Sequence, residues 1–486
     1  MPGEKAATGV ATQFLAAFVA NIISLHIGFT VGWTAVAIPV LESNSTLDGT
    51  NPLDKPLTKY DASWLASLSM VLSIFGPTAC SLSIHRWGFK PTGYIVGIFS
   101  ALSGVIVLVA RSFAVLLAGR ILIGLATGGG AVVSTNYVAG AAQAHVRGAL
   151  GTFFALMFNG GILLAYLVGA ASSYFTVCVV GVAVPTVYTV CFFFLPESPL
   201  HLLSKGREDE AATSLRWFRA TGHDVAGELK EMRLTVEAGQ GGDRKRMTVA
   251  QFFKERASRY AFAAIVVLIL NQQLSGSLVA LNYVVEILAA AGDSVSAGWS
   301  AVAVAALQFA ATFLSSALVD RAGRRPLLLG SNAGIAACHA ALGGYFYAQA
   351  AGLDVAAAWW LPVCATSLFL VLNAVGVGAL LMVVVNEFFS PEAMPIAMSI
   401  SIGVQTVTAA AVIKMYVVLL GWLQMYGCYW FFAACCILSN VYIFFFLPES
   451  KNRPINDILA ELRGESKKQK KLNTHYDPVD ITESQK

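Results

Sequence analysis

Apolar residues in this chain come in long blocks, without the regular polar positions that mark a helix with one wet face. A helical crossing of bilayer hydrocarbon takes about 20 apolar residues. On that criterion the pattern predicts spans at 14–38, 62–84, 91–110, 113–135, 148–171, 174–195, 260–290, 297–319, 326–350, 358–388, 395–418 and 422–447. The expected fold class is therefore an all-α membrane protein of twelve transmembrane helices.

Two polar interruptions break the series. The first, 39–61, is rich in Pro, Asn and Thr and reads as a solvated loop; its Asn44-Ser45-Thr46 is an N-glycosylation acceptor that works only on the outer or lumenal side. The second, 197–259, carries twelve Lys and Arg between Lys205 and Arg259, interleaved with acids in short amphipathic stretches. Translocating so many bases is unfavourable, so it is expected to be a cytoplasmic linker with a few surface helices. The resulting plan is a cytoplasmic N-terminus at 1–13, a six-helix bundle at 14–196, the linker at 197–259, a second six-helix bundle at 260–450, and a cytoplasmic tail at 451–486, disordered from about 464. Both termini then lie inside, and the expected location is the plasma membrane.

Composition closes off other classes. Of 486 residues 56% are hydrophobic and only 12% charged, with mean hydropathy +0.66, so the bilayer is the main solvent. Net charge is +4, but the bases sit in short loops, the linker and the tail, which excludes a nucleic-acid partner. Lys467, Lys468, Lys470 and Lys471 could meet anionic lipid, though a solvated tail that helps fix orientation explains them as well. The eight cysteines, Cys80, Cys178, Cys191, Cys338, Cys364, Cys428, Cys435 and Cys436, lie in or beside apolar blocks without metal-ligand spacing, and read as buried inert thiols. No metal or cofactor is expected, and no nucleophile–base pair suggests an enzyme. The first apolar block lacks a small-residue cleavage site and reads as a retained span. Oligomeric state is left open.

The two halves echo each other. His85-Arg86-Trp-Gly-Phe-Lys90 after the second span matches Asp320-Arg321-Ala-Gly-Arg324-Arg325 after the eighth, and Leu195-Pro-Glu197-Ser-Pro199 after the sixth matches Leu447-Pro-Glu449-Ser-Lys451 after the twelfth. The offsets are nearly equal, so whole six-span units repeat, giving two pseudo-symmetric bundles.

With Gly119-Arg120-Ile-Leu-Ile-Gly124, Arg147-Gly-Ala-Leu-Gly151 and Gln272-Gln273-Leu-Ser-Gly276, these segments resemble the sugar-porter family of the major facilitator transporters from about residue 14 to 463. The segment after the twelfth span and the overall length look nearest to the insect facilitated trehalose transporters. The resemblance implies the major facilitator fold, a sugar as small-molecule partner, and transport by alternating access. It makes Gln272 and Gln273 sugar ligands. Gln308 and Gln405 fall where the family has Asn, Asn282 stands one turn beyond an Asn that is here Leu278, and Met382 replaces a Trp that covers the sugar. It also implies a cytoplasmic gate of Arg86, Arg147 and Glu197 in the first half and Asp320, Arg321, Arg324, Arg325, Glu387 and Glu449 in the second. Physically, an amide matches sugar hydroxyls without a charge to desolvate, and arginines can pair with carboxylates at neighbouring helix ends. The plainer accounts are helix-packing amides and headgroup charges.

Departures from the family bear on the ligand and the gate. Ala155 replaces a fifth-span Gln, the tenth span has lost both hinge prolines and the Trp in Gly376–Met382, and the first half carries His85, Phe89 and Gly140 at gate positions. Met394 replaces a gate Arg. Thr30, in Gly28-Phe-Thr-Val-Gly32, stands where proton symporters carry Asp, and no Asp or Glu occurs between Asp61 and Glu197. Three functions remain: facilitated transport of a sugar or polyol such as trehalose or glucose, proton-coupled symport, and a non-transporting sugar sensor. Binding is expected to fall mainly on the second half. Lys414, near the outer end of its span, reads as snorkelling to headgroups, and His26 as either a titrating or a packing histidine.

Overall fold

The computed structural model describes residues 2–43, 51–219, 224–241, 249–292, 296–389, 392–449 and 453. Asn44, the side chains of Arg147, Asp320 and Arg321, and the tail from 454 lie outside the described residues.

Among the described residues the chain is helical. The spans, numbered in chain order, are Pro2–Glu42, Lys59–Ser73 continued by Phe75–Trp87, Phe89–Leu108, Phe113–Ala141, Ala144–Gly151 continued by Phe153–Ala171, and Tyr174–Phe193. The second half follows with Arg256–Leu274 continued by Ser277–Ala290, Ala297–Ala322, Arg324–Ala350, Leu361–Val375 continued by Val377–Phe388, and finally Met394–Phe446. Eleven of these helices are long and apolar enough to cross a bilayer. The last holds 53 residues but is broken at Gln424, where φ is 55° and ψ −176°. Glu449 returns to the backbone amides of Arg324 and Arg325, and Arg324 also meets Glu387, seven residues before span eleven begins. Both ends of the 53-residue stretch therefore lie on one face, Gln424 marks a reversal at the other, and the chain makes twelve passes.

Local chemistry sets several boundaries. Thr58 and Asp61 form a reciprocal capping box that starts span two, the Thr58 hydroxyl accepting from the Asp61 amide at 3.1 Å and the Asp61 carboxylate from the Thr58 amide at 3.2 Å. Span one begins at Pro2, well before the expected 14. Its first turns dock on the loop between spans four and five and on the linker: Gln13 exchanges hydrogen bonds with Gln143 of that loop at 2.9 Å each way, and Thr12 and Gln13 donate to the Phe218 carbonyl of the linker. The linker carries helices Pro199–Ser204, Glu208–Phe218, Val225–Gly241 and Val249–Lys254. Arg219, its side chain buried, pins them by pairing with Glu228 at 2.6 Å and donating to the Ala141 carbonyl at 3.0 Å.

Spans one and five cross almost backbone to backbone. A Cβ on Gly161 would stand 1.9 Å from the Leu25 carbonyl oxygen, and one on Gly28 1.8 Å from that of Phe158. Small residues at such crossings replace the hydrophobic drive that lipid does not supply between helices.

Candidate functional site

Several spans break at mid-depth, where a helix interrupted inside a membrane must line a cavity or be covered by protein. Span seven breaks at Ser275 and Gly276, the latter with φ +74°, which leaves Gln272 and Gln273 at the end of one half-helix. Span ten breaks at Gly376, with φ −109° and ψ −93°, although its prolines are gone. Between the halves lies a cavity of about 900 Å³ whose wall includes Gln272, Gln273, Gln308, Asn373, Met382 and Gln405 from the second half. Gln405 donates its amide to the Gln272 side-chain oxygen at 2.9 Å, tying span eleven to span seven. Gln308 donates to Asn159 of span five at 2.9 Å, and Asn159 donates to Thr312 at 3.1 Å, so this amide group bridges the halves.

The first half contributes more polarity than its sequence suggests. Thr30, Ser69, Ser73, Arg120, Thr127 and Asn159 all line the wall. Arg120 is buried, and its guanidinium is spent on the protein: Nε donates to the Leu65 carbonyl at 3.1 Å, Nη1 to that of Thr30 at 3.3 Å, and Nη2 to the Thr34 and Ser69 hydroxyls at 3.0 and 3.1 Å. The Trp33 ring lies 5.2 Å beneath it. Arg120 is the only charged residue on this wall among the described residues.

Asn282, expected as a ligand contact, is off the wall. It is buried and donates to the Leu278 carbonyl at 2.8 Å; Leu278, one turn earlier, is the residue that faces the cavity. His26 is also off the wall, beside a small void shared with Trp33, Ser103 and Cys178.

The two ends of the cavity differ. Toward the linker the wall continues through Gly148, Gly151 and Thr152 of span five, Ser315 of span eight and Met382 of span ten, and the space is open. On the opposite face, which carries the loop before span two, the halves touch. Lys59 pairs with Glu42 of span one at 2.9 Å and also with Glu286 of span seven. The Tyr166 hydroxyl donates to the Leu281 carbonyl at 2.6 Å. The Lys414 ammonium donates to the Ser63 hydroxyl at 2.7 Å and lies over the rings of Tyr60 and Trp64. Lys414 therefore does not snorkel to headgroups: the first half offers it a hydroxyl and two π-faces closer at hand.

At the linker face the carboxylates hold turns within each half. Glu197 accepts from the Phe89 and Lys90 amides, and Glu449 from those of Arg324 and Arg325, each at 3.0 Å. An anion at a helix N-terminus satisfies donors the helix cannot. Gly88 and Gly323, with φ of 103° and 86°, make both turns possible. Arg324 pairs with Glu387 at 2.8 Å, inside the second half. Arg325 reaches the Phe444 carbonyl, and Arg86 lies over the Trp87 ring at 5.8 Å. Cys364 is exposed, against the expectation that all eight thiols are buried.

Comparison with known proteins agrees with this architecture. Residues 16–462 match the family described as Sugar (and other) transporter. The chain is 29% identical over 466 residues to the facilitated trehalose transporter Tret1 of Bombyx mori, covering 95% of this chain and 89% of that one. It is 27% identical to Tret1 of Drosophila virilis, covering 93% of this chain but only 49% of the relative, so it spans about half of that protein's length. Among solved structures, the inward-open xylose transporter XylE from E. coli superposes with a TM-score of 0.75 at 19% identity, covering 92% of this chain and 99% of that chain, a likeness of fold. Twelve membrane passes in two echoing halves, a polar cavity between them and a family match along nearly the whole length lead to one assignment: the chain belongs to the sugar-transporter family and is a multi-pass membrane transporter of the major facilitator fold.

Proposed function

We propose that this protein moves a neutral disaccharide or related polyol down its gradient across the plasma membrane by alternating access, with the linker face and both termini cytoplasmic. The observation that carries this reading is the cavity wall: amides and hydroxyls from both halves, no carboxylate among the described lining residues, and one arginine whose donors go to its own scaffold. Such a surface exchanges hydrogen bonds with hydroxyls without desolvating a charge. A volume of about 900 Å³, near the top of the ~300–1,000 Å³ span of small-molecule sites and open toward the linker, leaves room for a disaccharide. Met382 in place of a covering aromatic ring points the same way.

Gln272, Gln273, Gln308 and Gln405 are the second-half contacts in this proposal, with Asn159 and the Ser69 and Thr127 hydroxyls opposite them. Arg324 with Glu387, and Glu197 and Glu449 at their helix ends, shape the cytoplasmic mouth. Asn44, in the sequence between spans one and two, is the glycosylation site in this reading, and glycosidase treatment of protein from intact cells should remove mass only while Asn44 is present.

Counterflow in proteoliposomes tests the transport reading. Preloaded unlabelled trehalose should drive transient entry of labelled trehalose, more strongly than glucose drives glucose. Saturable binding of a sugar without counterflow of any in a panel would replace the carrier by a sensor.

A further inference from the structure

Lys414 lies inside an apolar span, and its ammonium is held by three groups of the opposite half. The Ser63 hydroxyl is 2.7 Å away, and the Tyr60 and Trp64 ring centroids 3.9 and 4.0 Å. Residues 60, 63 and 64 share one face of the first turns of span two. The Thr58–Asp61 capping box fixes where that helix begins. The two rings meet edge to face, centroids 6.2 Å apart and planes at 82°, so both present π-density to the ammonium.

Lys414 comes from span eleven and the cage from span two, so the contact crosses the seam between halves on the face that is shut. It exists only while that face is closed. A contact made in one of two states shifts the balance between them by its own free energy. The Lys59 pair with Glu286 crosses the same seam from the other direction, but Lys59 is solvent-exposed and open to screening by salt.

We propose that Lys414, caged by Tyr60, Trp64 and Ser63, is a positioning residue for transport: it latches the loop face shut and sets the fraction of carriers facing the cytoplasm. The proposal rests on alternating access, and its test separates the two ideas. Nitroxides are placed at K55C and G421C in full-length protein in liposomes, with exposed Cys364 changed to Ser, and the distance across the loop face is measured by pulsed dipolar spectroscopy. Lys414→Met should raise the ratio of open to closed loop face about 5- to 20-fold, and Trp64→Leu should do the same. Lys414→Arg keeps a cation for the rings and should stay within about threefold of the parent. In sided assays with labelled trehalose, the external half-saturation concentration should fall by the same factor as the open fraction rises. Parental distance distributions in both Lys414→Met and Trp64→Leu would overturn the latch. Shifted distances in a protein that transports no sugar would support the latch and overturn the carrier reading instead.

Discussion

Gln272 gives its side-chain oxygen to Gln405, which leaves its own N–H groups for the cavity. A ligand hydroxyl that loses such a partner is left desolvated, at about 1–3 kcal/mol. Gln272→Ala should therefore weaken trehalose binding roughly 5- to 150-fold, with folded yield unchanged; equal binding by both proteins in equilibrium dialysis would remove Gln272 from the site. The second-half glutamines were legible in the sequence because a long amide inside an apolar span has few roles beyond ligand contact or helix packing. Shorter polar groups were not. Thr30 bonds the Ile27 carbonyl at 2.7 Å and Asn159 the Ala155 carbonyl at 3.0 Å, so polarity alone does not tell which way they face. These groups line the cavity beside the second-half glutamines, and Asn282, expected as a ligand contact, donates its amide to its own helix instead.

At the scale of helices, the spans could be read from hydropathy, while their ends and breaks depended on contacts hydropathy does not encode. Span one carries helix ahead of residue 14, where Thr12 and Gln13 find partners on the linker and on the loop after span four. Span ten keeps its break without proline: a Cβ on Gly376 would stand 2.1 Å from the Ser331 hydroxyl, so close packing of span nine holds the irregular backbone. Backbone crossings make the sharper prediction, because a carbonyl cannot swing aside as a side chain can. Gly161→Ala forces a methyl to 1.9 Å from the Leu25 carbonyl oxygen, whereas at Gly148 nothing lies within 4 Å. Overpacking of this kind costs about 1–3 kcal/mol or more. Gly161→Ala should lower the detergent melting temperature and the monodisperse fraction on size-exclusion chromatography, and Gly148→Ala should leave both as they are. Equal behaviour of the two variants would mean that spans one and five do not meet as closely as described.

At the scale of the whole molecule, the repeat was plain from sequence because the same carboxylate task recurs: Glu197 and Glu449 each cap the helix that follows a glycine turn. Which face is open was not legible, since it depends on contacts such as Lys59 with Glu286 between residues far apart in the chain. The same wide view decides the energy source. A proton symporter must carry a group that exchanges its proton with each side in turn, and the natural candidates are carboxylates or histidines in the central cavity. No Asp or Glu occurs between Asp61 and Glu197. None lines the cavity among the described residues, and Thr30 occupies the span-one wall. His26 is not among the cavity-lining residues; it sits behind Thr30 and Arg120, beside Trp33 and Cys178. Arg120 is tied to four oxygens of spans one and two, and a guanidinium keeps its proton throughout the physiological range, so it exchanges none with either side. An imposed pH gradient across proteoliposomes should therefore change the initial rate of trehalose entry little and leave the final internal concentration equal to the external one. The carrier should run equally well after a protonophore collapses the gradient. Accumulation above equilibrium that the protonophore abolishes would make the protein a symporter, and His26→Asn would then be the first variant to measure.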